Sequence, residues 1–145
     1  MRRCTRRRSR TPRRTSSGPA RWPLGSSRRA RGFAAWAGLR QLGREGVAEL
    51  VERPCRLARR FADGLRAGGA EIANDVVLNQ VLVGFGDDDR TDRVVAAVQA
   101  EGTCWLGGTT WRGRRLMRVS VSNWSTTEAD VDRSVEAILA AAASV

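Results

Sequence analysis

The chain has 145 residues, a formal net charge of +11 and 26 basic residues, every one of them arginine, because lysine, histidine and tyrosine are absent. Without histidine or lysine it has no imidazole for acid/base work or metal ligation, and no side-chain amine to hold a carbonyl cofactor. The length suits one domain, and a core forms only if most of the chain folds.

The charge is unevenly placed. Residues 1–31 hold twelve arginines and no acid, whereas the remainder holds fourteen arginines against all fifteen acids. Residues 1–26 lack apolar periodicity and carry Trp22 and Leu24 in isolation, so they bury too little surface to offset their ordering entropy and read as a disordered, Arg-rich segment. Three readings stand for it. A basic arm would bind nucleic acid or an anionic surface by counterion release, and an acid-free Arg/Ser-rich leader is the pattern of an organellar transit peptide. The third is a mis-started or frame-shifted stretch, since Arg, Pro, Ser, Ala, Gly and Trp in this mixture are what a GC-rich gene yields out of frame. Nucleic-acid binding is expected only through these residues, and 27–145 is the folded unit. Cys4, Cys55 and Cys104 form no CxxC pair and are odd in number, which points to reduced thiols and a cytoplasmic protein. No apolar run approaches the roughly 20 residues of a membrane span.

Ser27 is placed to cap a helix over 28–42, with Phe33, Ala34, Ala37 and Leu39 on a loose apolar side around Trp36 and Gly43 closing it. A longer helix is predicted over 44–67, where Val47, Leu50, Val51, Leu57, Ala58, Phe61 and Leu65 recur on one face. Pro54 lacks the N–H that would bond the Leu50 carbonyl, so a kink or a split is expected there. Gly68-Gly69 then ends the helix. Residues 75–85 are dense in Val and Leu, which predicts a buried central strand. The acids Asp87, Asp88 and Asp89 precede a helix over 91–100 that buries Val94, Val95 and Val98 and stops at Gly102. A strand over 103–111 follows, interrupted by Gly107-Gly108, and glycines inside a strand mark a bulge or a close approach.

Residues 107–130 carry the most information. Gly113 in Arg112-Gly113-Arg114 supplies the positive φ of a tight hairpin. Residues 116–121 alternate, with Leu116, Arg118 and Ser120 on one side and Met117, Val119 and Val121 on the other, so a polar face is expected beside a packed one. Ser125 and Glu128 have the spacing of a capping box, and Val131, Val135, Ile138, Leu139 and Ala142 follow at helical spacing. The element order predicts an α+β fold: N-terminal helices, then a small, mainly antiparallel sheet with helices on one face.

The phrases Gly108-Thr109-Thr110-Trp111 with Gly113, Met117-Arg118-Val119-Ser120-Val121-Ser122-Asn123 and Thr126-Thr127-Glu128-Ala129-Asp130-Val131 resemble the C-terminal end of the group II pyridoxal-phosphate-dependent amino-acid decarboxylases. That family comprises the aromatic amino-acid, tyrosine and glutamate decarboxylases. The resemblance extends back through 78–83 and Gly43-Arg44-Glu45-Gly46 to Ser27-Arg28-Arg29-Ala30-Arg31, and so covers about 27–139. It implies the C-terminal small domain of a fold-type I pyridoxal-phosphate enzyme, which closes over the active site and acts within a homodimer to remove CO2 from an amino acid. The cofactor lysine of such an enzyme lies in the large domain, so the resemblance implies no catalytic, cofactor-binding or metal-binding residue in this chain. It implies a fragment inactive alone, with the large domain or a second subunit as partner.

The candidate substrate-binding residues are Arg118, Thr110 and Trp111. A guanidinium in mid-strand can hold a carboxylate bidentately, or can pair with a carboxylate of its own domain. Thr109, Thr110 and Trp111 can line a pocket beside Gly107-Gly108, although Trp111 also suits a sheet or subunit contact. Asn123 suits a turn before a helix. A separate reading of the whole chain is a small α+β binding module with a basic arm, or a subunit that complements a separately encoded cofactor domain.

Overall fold

The computed structural model describes residues 31–145. The expected cap at Ser27, residues Arg28 and Arg29, the arginine-rich segment and Cys4 lie outside them. The elements run α1 (Arg31–Ala67), β1 (Glu71–Ile72), β2 (Gln80–Gly84), α2 (Asp88–Glu101), β3 (Gly107–Trp111), β4 (Arg114–Ser120) and α3 (Glu128–Ser144). The four strands form one sheet in the order β1-β2-β4-β3, and every neighbouring pair is antiparallel. The architecture is α+β with the helices on one face, as the pattern of elements predicts.

The core lies between that face and the three helices. Val81 and Val83 of β2 and Met117 and Val119 of β4 meet Leu57, Phe61 and Leu65 of α1, Val94 and Val98 of α2, and Val131 and Ile138 of α3. At about 25 cal/mol per Å² of apolar surface, each such side chain contributes about 1.5–3 kcal/mol of burial. α1 and α3 approach closely because Gly64 and Gly68 present no Cβ between them. A Cβ on Gly68 would stand 2.4 Å from Leu139 Cδ1 and one on Gly64 would stand 3.1 Å from Val135 Cγ1. Arg60 adds a fork across the same pair, donating from Nε to Asp132 Oδ1 at 2.7 Å and from Nη2 to Oδ2 at 2.8 Å.

The structure sharpens several expectations and overturns others. Gly43, at φ 64° and ψ −171°, does break the N-terminal helix into two segments. Pro54 does not: helical backbone runs through it, and Gly43 is the non-helical residue inside α1. Residue 50 is exposed, so water can satisfy the carbonyl that the proline leaves without its helical donor. The central strand begins at Gln80, not Asp75. Asn74 diverts the chain before it, accepting from Leu82 N at 2.7 Å and donating to the Gln80 carbonyl at 3.2 Å, so Val77 and Leu78 project outward. The short β1, which pairs Glu71 with Gly84, has no sequence signal beyond its two residues. α2 starts at Asp88 with Asp87 as its N-cap, and β3 starts at Gly107, so Gly107-Gly108 opens the strand and does not interrupt it.

The cap of α3 is also displaced. Thr127 is the N-cap and Asp130 the reciprocal partner, while Ser125 donates from N and Oγ to Asn123 Oδ1 in the preceding turn. Thr127→Ala should therefore cost about 1 kcal/mol, as loss of a Ser/Thr cap does, whereas Ser125→Ala should shift stability by less than about 0.5 kcal/mol as an ordinary surface change. Urea unfolding of the two variants beside the wild type measures both, and a larger loss in Ser125→Ala would restore the cap to that residue.

Candidate functional site

The helices cover one face of the sheet and leave the other open. Residues directly opposite in an antiparallel ladder share a face. The register pairs Leu82 with Arg118 and Arg118 with Gly107, Leu116 with Thr109, and Arg114 with Trp111, so these residues belong to the open face together with Gln80, Gly84 and Glu71. Met117, Val119, Arg115 and Thr110 belong to the helical face.

The hairpin joining β3 to β4 fixes this registration. Arg112 and Gly113 have φ of 50° and 77°, and Arg112 is the sole non-glycine with positive φ among the described residues. Two positive φ values in a two-residue connection are those of a type I′ turn, whose twist matches that of the strands. The Arg112 guanidinium carbon lies 4.3 Å from the centre of the Trp111 ring, a cation–π contact that holds the turn against the strand end.

The three arginines of β4 are treated differently. Arg114 donates from Nη1 to Glu71 Oε1 at 2.7 Å and from Nη2 to Oε2 at 2.6 Å, a bidentate pair across the sheet. Leu116 Cδ2, Glu71 Oε2 and Arg114 Nη2 all lie within 3.5 Å of where a Cβ on Gly84 would stand, so the ion pair roofs the sheet above the leucine. That is why Leu116 is only 1% exposed although it sits on the open face, where alternation led us to expect a polar lining. Arg115 crosses the helical face above Gly108, donating from Nε to Asp92 Oδ1 at 2.7 Å, while its backbone N–H donates to Asp88 Oδ1 at 3.0 Å. Arg118 is exposed and makes no hydrogen bond or ion pair with any described residue. Its neighbours across the ladder are half-buried Leu82 and Gly107, and a Cβ on Gly107 would meet nothing within 4 Å. Arg118 thus has a glycine with open space above it on one side of the ladder and an apolar residue on the other.

Of the residues singled out in the sequence, Trp111 and Arg118 share the open face, but four ladder positions, about 13 Å at 3.3 Å per residue, separate their levels. Thr110 lies on the opposite face, and Thr109 is the threonine that shares the face of Arg118. Asn123 is the acceptor of the turn before α3 and makes no contact with Arg118. Leu82 and Gly107 were not foreseen as neighbours of Arg118. Strand pairing sets them there, and no local pattern encodes it.

Two other hollows flank this face. One, of about 530 Å³, is lined by Cys104, Ser122, Asn123, Asp130 and Ser134 at the exit of β4. Burial pushes the Cys104 thiol up, against a lowering hydrogen bond with Ser134. The other is apolar, lined by Leu50, Val51, Pro54, Leu78 and Trp124; Phe33, Trp36 and Leu39, on the segment of α1 before Gly43, are exposed as well. An exposed apolar hollow of this kind suits an interaction surface. Among the described residues no cluster of acids and cysteines could hold a metal ion, and no helix is long and apolar enough to cross a membrane.

No family model matches the sequence. The fold does match solved structures. Oryza sativa TDC with PLP and tryptamine superposes at a TM-score of 0.74 with 20% identity, over 81% of this chain and 26% of that one. Catharanthus roseus tryptophan decarboxylase in complex with L-tryptophan gives 0.74 and 18%, over 79% of this chain and 26% of that one. Rhodiola rosea 4-hydroxyphenylacetaldehyde synthase gives 0.73 and 22%, over 81% and 27%. The chain spans about a quarter of the length of the proteins it matches. It shares its fold with that part of these structures.

The Glu71–Arg114 pair makes a titration prediction. The hydrogen bond from Arg114 holds the Glu71 carboxyl below its usual range. The pair's contribution is then complete above the unfolded carboxylate range and is lost as the pH falls through the depressed folded value. An NMR titration of the Glu71 side-chain carboxyl should show this depression in the wild type and its loss in Arg114→Gln. Equal midpoints in the two proteins would contradict the pairing.

Proposed function

We propose that residues 31–145 are the C-terminal small domain of a pyridoxal-phosphate-dependent amino-acid decarboxylase, and that the open face of the sheet forms part of the wall around the substrate. The observation that carries this reading is Arg118, exposed in mid-sheet beside an empty notch, while Arg114 and Arg115 on the same strand are satisfied within the domain. A guanidinium held on a strand has its direction fixed by the ladder and offers two parallel donors to a carboxylate. The phrases around Trp111, Arg118 and Thr127, together with the shared fold, supply the decarboxylase context.

The chain's own residues do not fit the covalent attachment of pyridoxal phosphate, because there is no lysine among its 145 residues. The cofactor, which supplies an electron sink when bound, must therefore be held by another domain or subunit. The apolar surface of α1 with Leu78 and Trp124 is the proposed seat for it. In this arrangement the small domain binds and orients the amino acid and excludes water, within a soluble homodimer. The chain alone is inactive.

The test is complementation. The chain is co-produced with a lysine-bearing cofactor domain of an aromatic amino-acid decarboxylase, and CO2 release from aromatic amino acids is followed. The chain alone should release none, and the combination should release it. Loss of a bidentate, charge-assisted contact in Arg118→Gln should raise KM about 10- to 100-fold, with partial recovery in Arg118→Lys. An unchanged KM would remove Arg118 from the wall, and CO2 release by the chain alone would overturn the division of labour.

A further inference from the structure

β3 is an edge strand with an unguarded outer side. Its sequence, Gly107-Gly108-Thr109-Thr110-Trp111, contains no charge and no proline, the usual devices that keep a sheet edge from pairing with another chain. The opposite edge of the sheet is β1, only two residues long. In a hairpin closed by a two-residue turn, the flanking pair Trp111 and Arg114 exchanges both backbone hydrogen bonds, as do Thr109 with Leu116 and Gly107 with Arg118. Gly108 and Thr110 therefore turn their N–H and C=O groups outward, and neither group is bonded to any described residue outside the strand.

From this edge we infer that β3 pairs with β3 of a second copy of the chain, about a two-fold axis through Thr109. Antiparallel pairing on that axis sets Gly108 opposite Thr110 of the second copy and Thr110 opposite its Gly108, so all four outward groups of each strand are satisfied. The strand is self-complementary in size as well. Trp111, its largest side chain, comes opposite Gly107 of the other copy on the open face, where a Cβ would meet nothing within 4 Å. Thr110 comes opposite Gly108 on the helical face, where Arg115 already occupies the space above the glycine. On the open face the bulky residue thus faces a glycine, and because the two-fold repeats this pairing on both copies the contact is self-complementary there, as an isologous contact is. Two four-stranded sheets become one of eight strands.

The pairing also alters the surface described above. Gly107 is the ladder neighbour of Arg118, so the second copy brings a tryptophan to the level of an arginine that its own Trp111 does not reach. The arginine's surroundings are then completed across the two-fold, by an aromatic side chain from the other copy. With five residues a side the contact is small, so association is weak and concentration-dependent.

The 145-residue chain tests this by sedimentation velocity over a concentration series, with NMR hydrogen exchange of the Gly108 and Thr110 amides. The wild type should sediment faster as concentration rises, and both amides should gain protection together. Thr110→Pro removes an outward N–H and leaves the β3–β4 ladder intact, because an edge strand tolerates proline on its free side. Gly107→Val puts a side chain into the notch from within one copy, at a position where the added Cβ would meet nothing within 4 Å. Each should weaken association at least tenfold while circular dichroism stays that of the wild type. A chain that is monomeric throughout, or one whose association survives both folded variants, overturns the inference, the second result placing the contact on the apolar surface of α1 instead. A monomeric chain leaves the complementation test untouched, and association through α1 would compete for the seat proposed for the cofactor domain; CO2 release by the complemented pair, scored separately, distinguishes failure of this inference from failure of the decarboxylase reading.

Discussion

β4 lies between β2 and β3, so its backbone groups are committed to two ladders and its side chains have only two faces to enter. Burying Met117 and Val119 against the helices leaves Arg118 no direction but outward. A one-residue slip would send the arginine into the core and expose both apolar neighbours, which makes the register costly to change. The pleat of a single strand therefore ties the stability of the domain to the orientation of its most exposed sheet arginine.

The charge arrangement follows from that constraint. The two arginines at the start of the strand reach past the apolar rows to carboxylates, Arg114 across the sheet to Glu71 and Arg115 to the first turns of α2. Arg118, in the middle, has Leu82 and Gly107 beside it and no acid. Half-exposed pairs such as Glu71–Arg114 add little to stability in water. Their larger effect is to close the sheet above Leu116, which confines the open surface to the end of the sheet where Arg118 stands. The other exposed feature is apolar and lies on α1. Phe33, Trp36 and Leu39 before the break at Gly43, and Leu50 and Val51 after it, are exposed and contribute nothing to the core, whose α1 residues begin at Leu57.

Much of this was legible in the sequence, and the reasons differ by element. Helix α3 and the face of β4 announce themselves because period 3.6 and period 2 are local signals, and Gly43 and Gly113 because a positive φ is a local requirement. Thr127 displaced Ser125 as the cap because Asp130 can reciprocate from its third helical position, a choice between two plausible boxes two residues apart. The strand before Gln80 failed for a tertiary reason: Asn74 captures Leu82 N and holds the approach as a loop, although Val76, Val77 and Leu78 have every local reason to extend the strand. Pro54 failed because a proline penalty is an average, and an exposed carbonyl can be satisfied by water. The location of Arg118 on an open face was legible from alternation alone. Its neighbours were not, since Leu82 and Gly107 are 36 and 11 residues away and only strand pairing brings them alongside.

The central proposal is that the open face, and not the helical one, is where this domain would meet a lysine-bearing cofactor domain. The most direct measurement is an NMR map of the 145-residue chain on addition of a separately produced, lysine-bearing decarboxylase domain. The account predicts that the Trp111 indole, the Arg118 guanidinium and the Leu82 methyl groups shift, together with the apolar side of α1, while Val94, Met117 and Ile138 in the core stay in place. If binding occurs and the resonances of Leu82, Trp111 and Arg118 do not move, the open face is a solvated surface and the account is wrong.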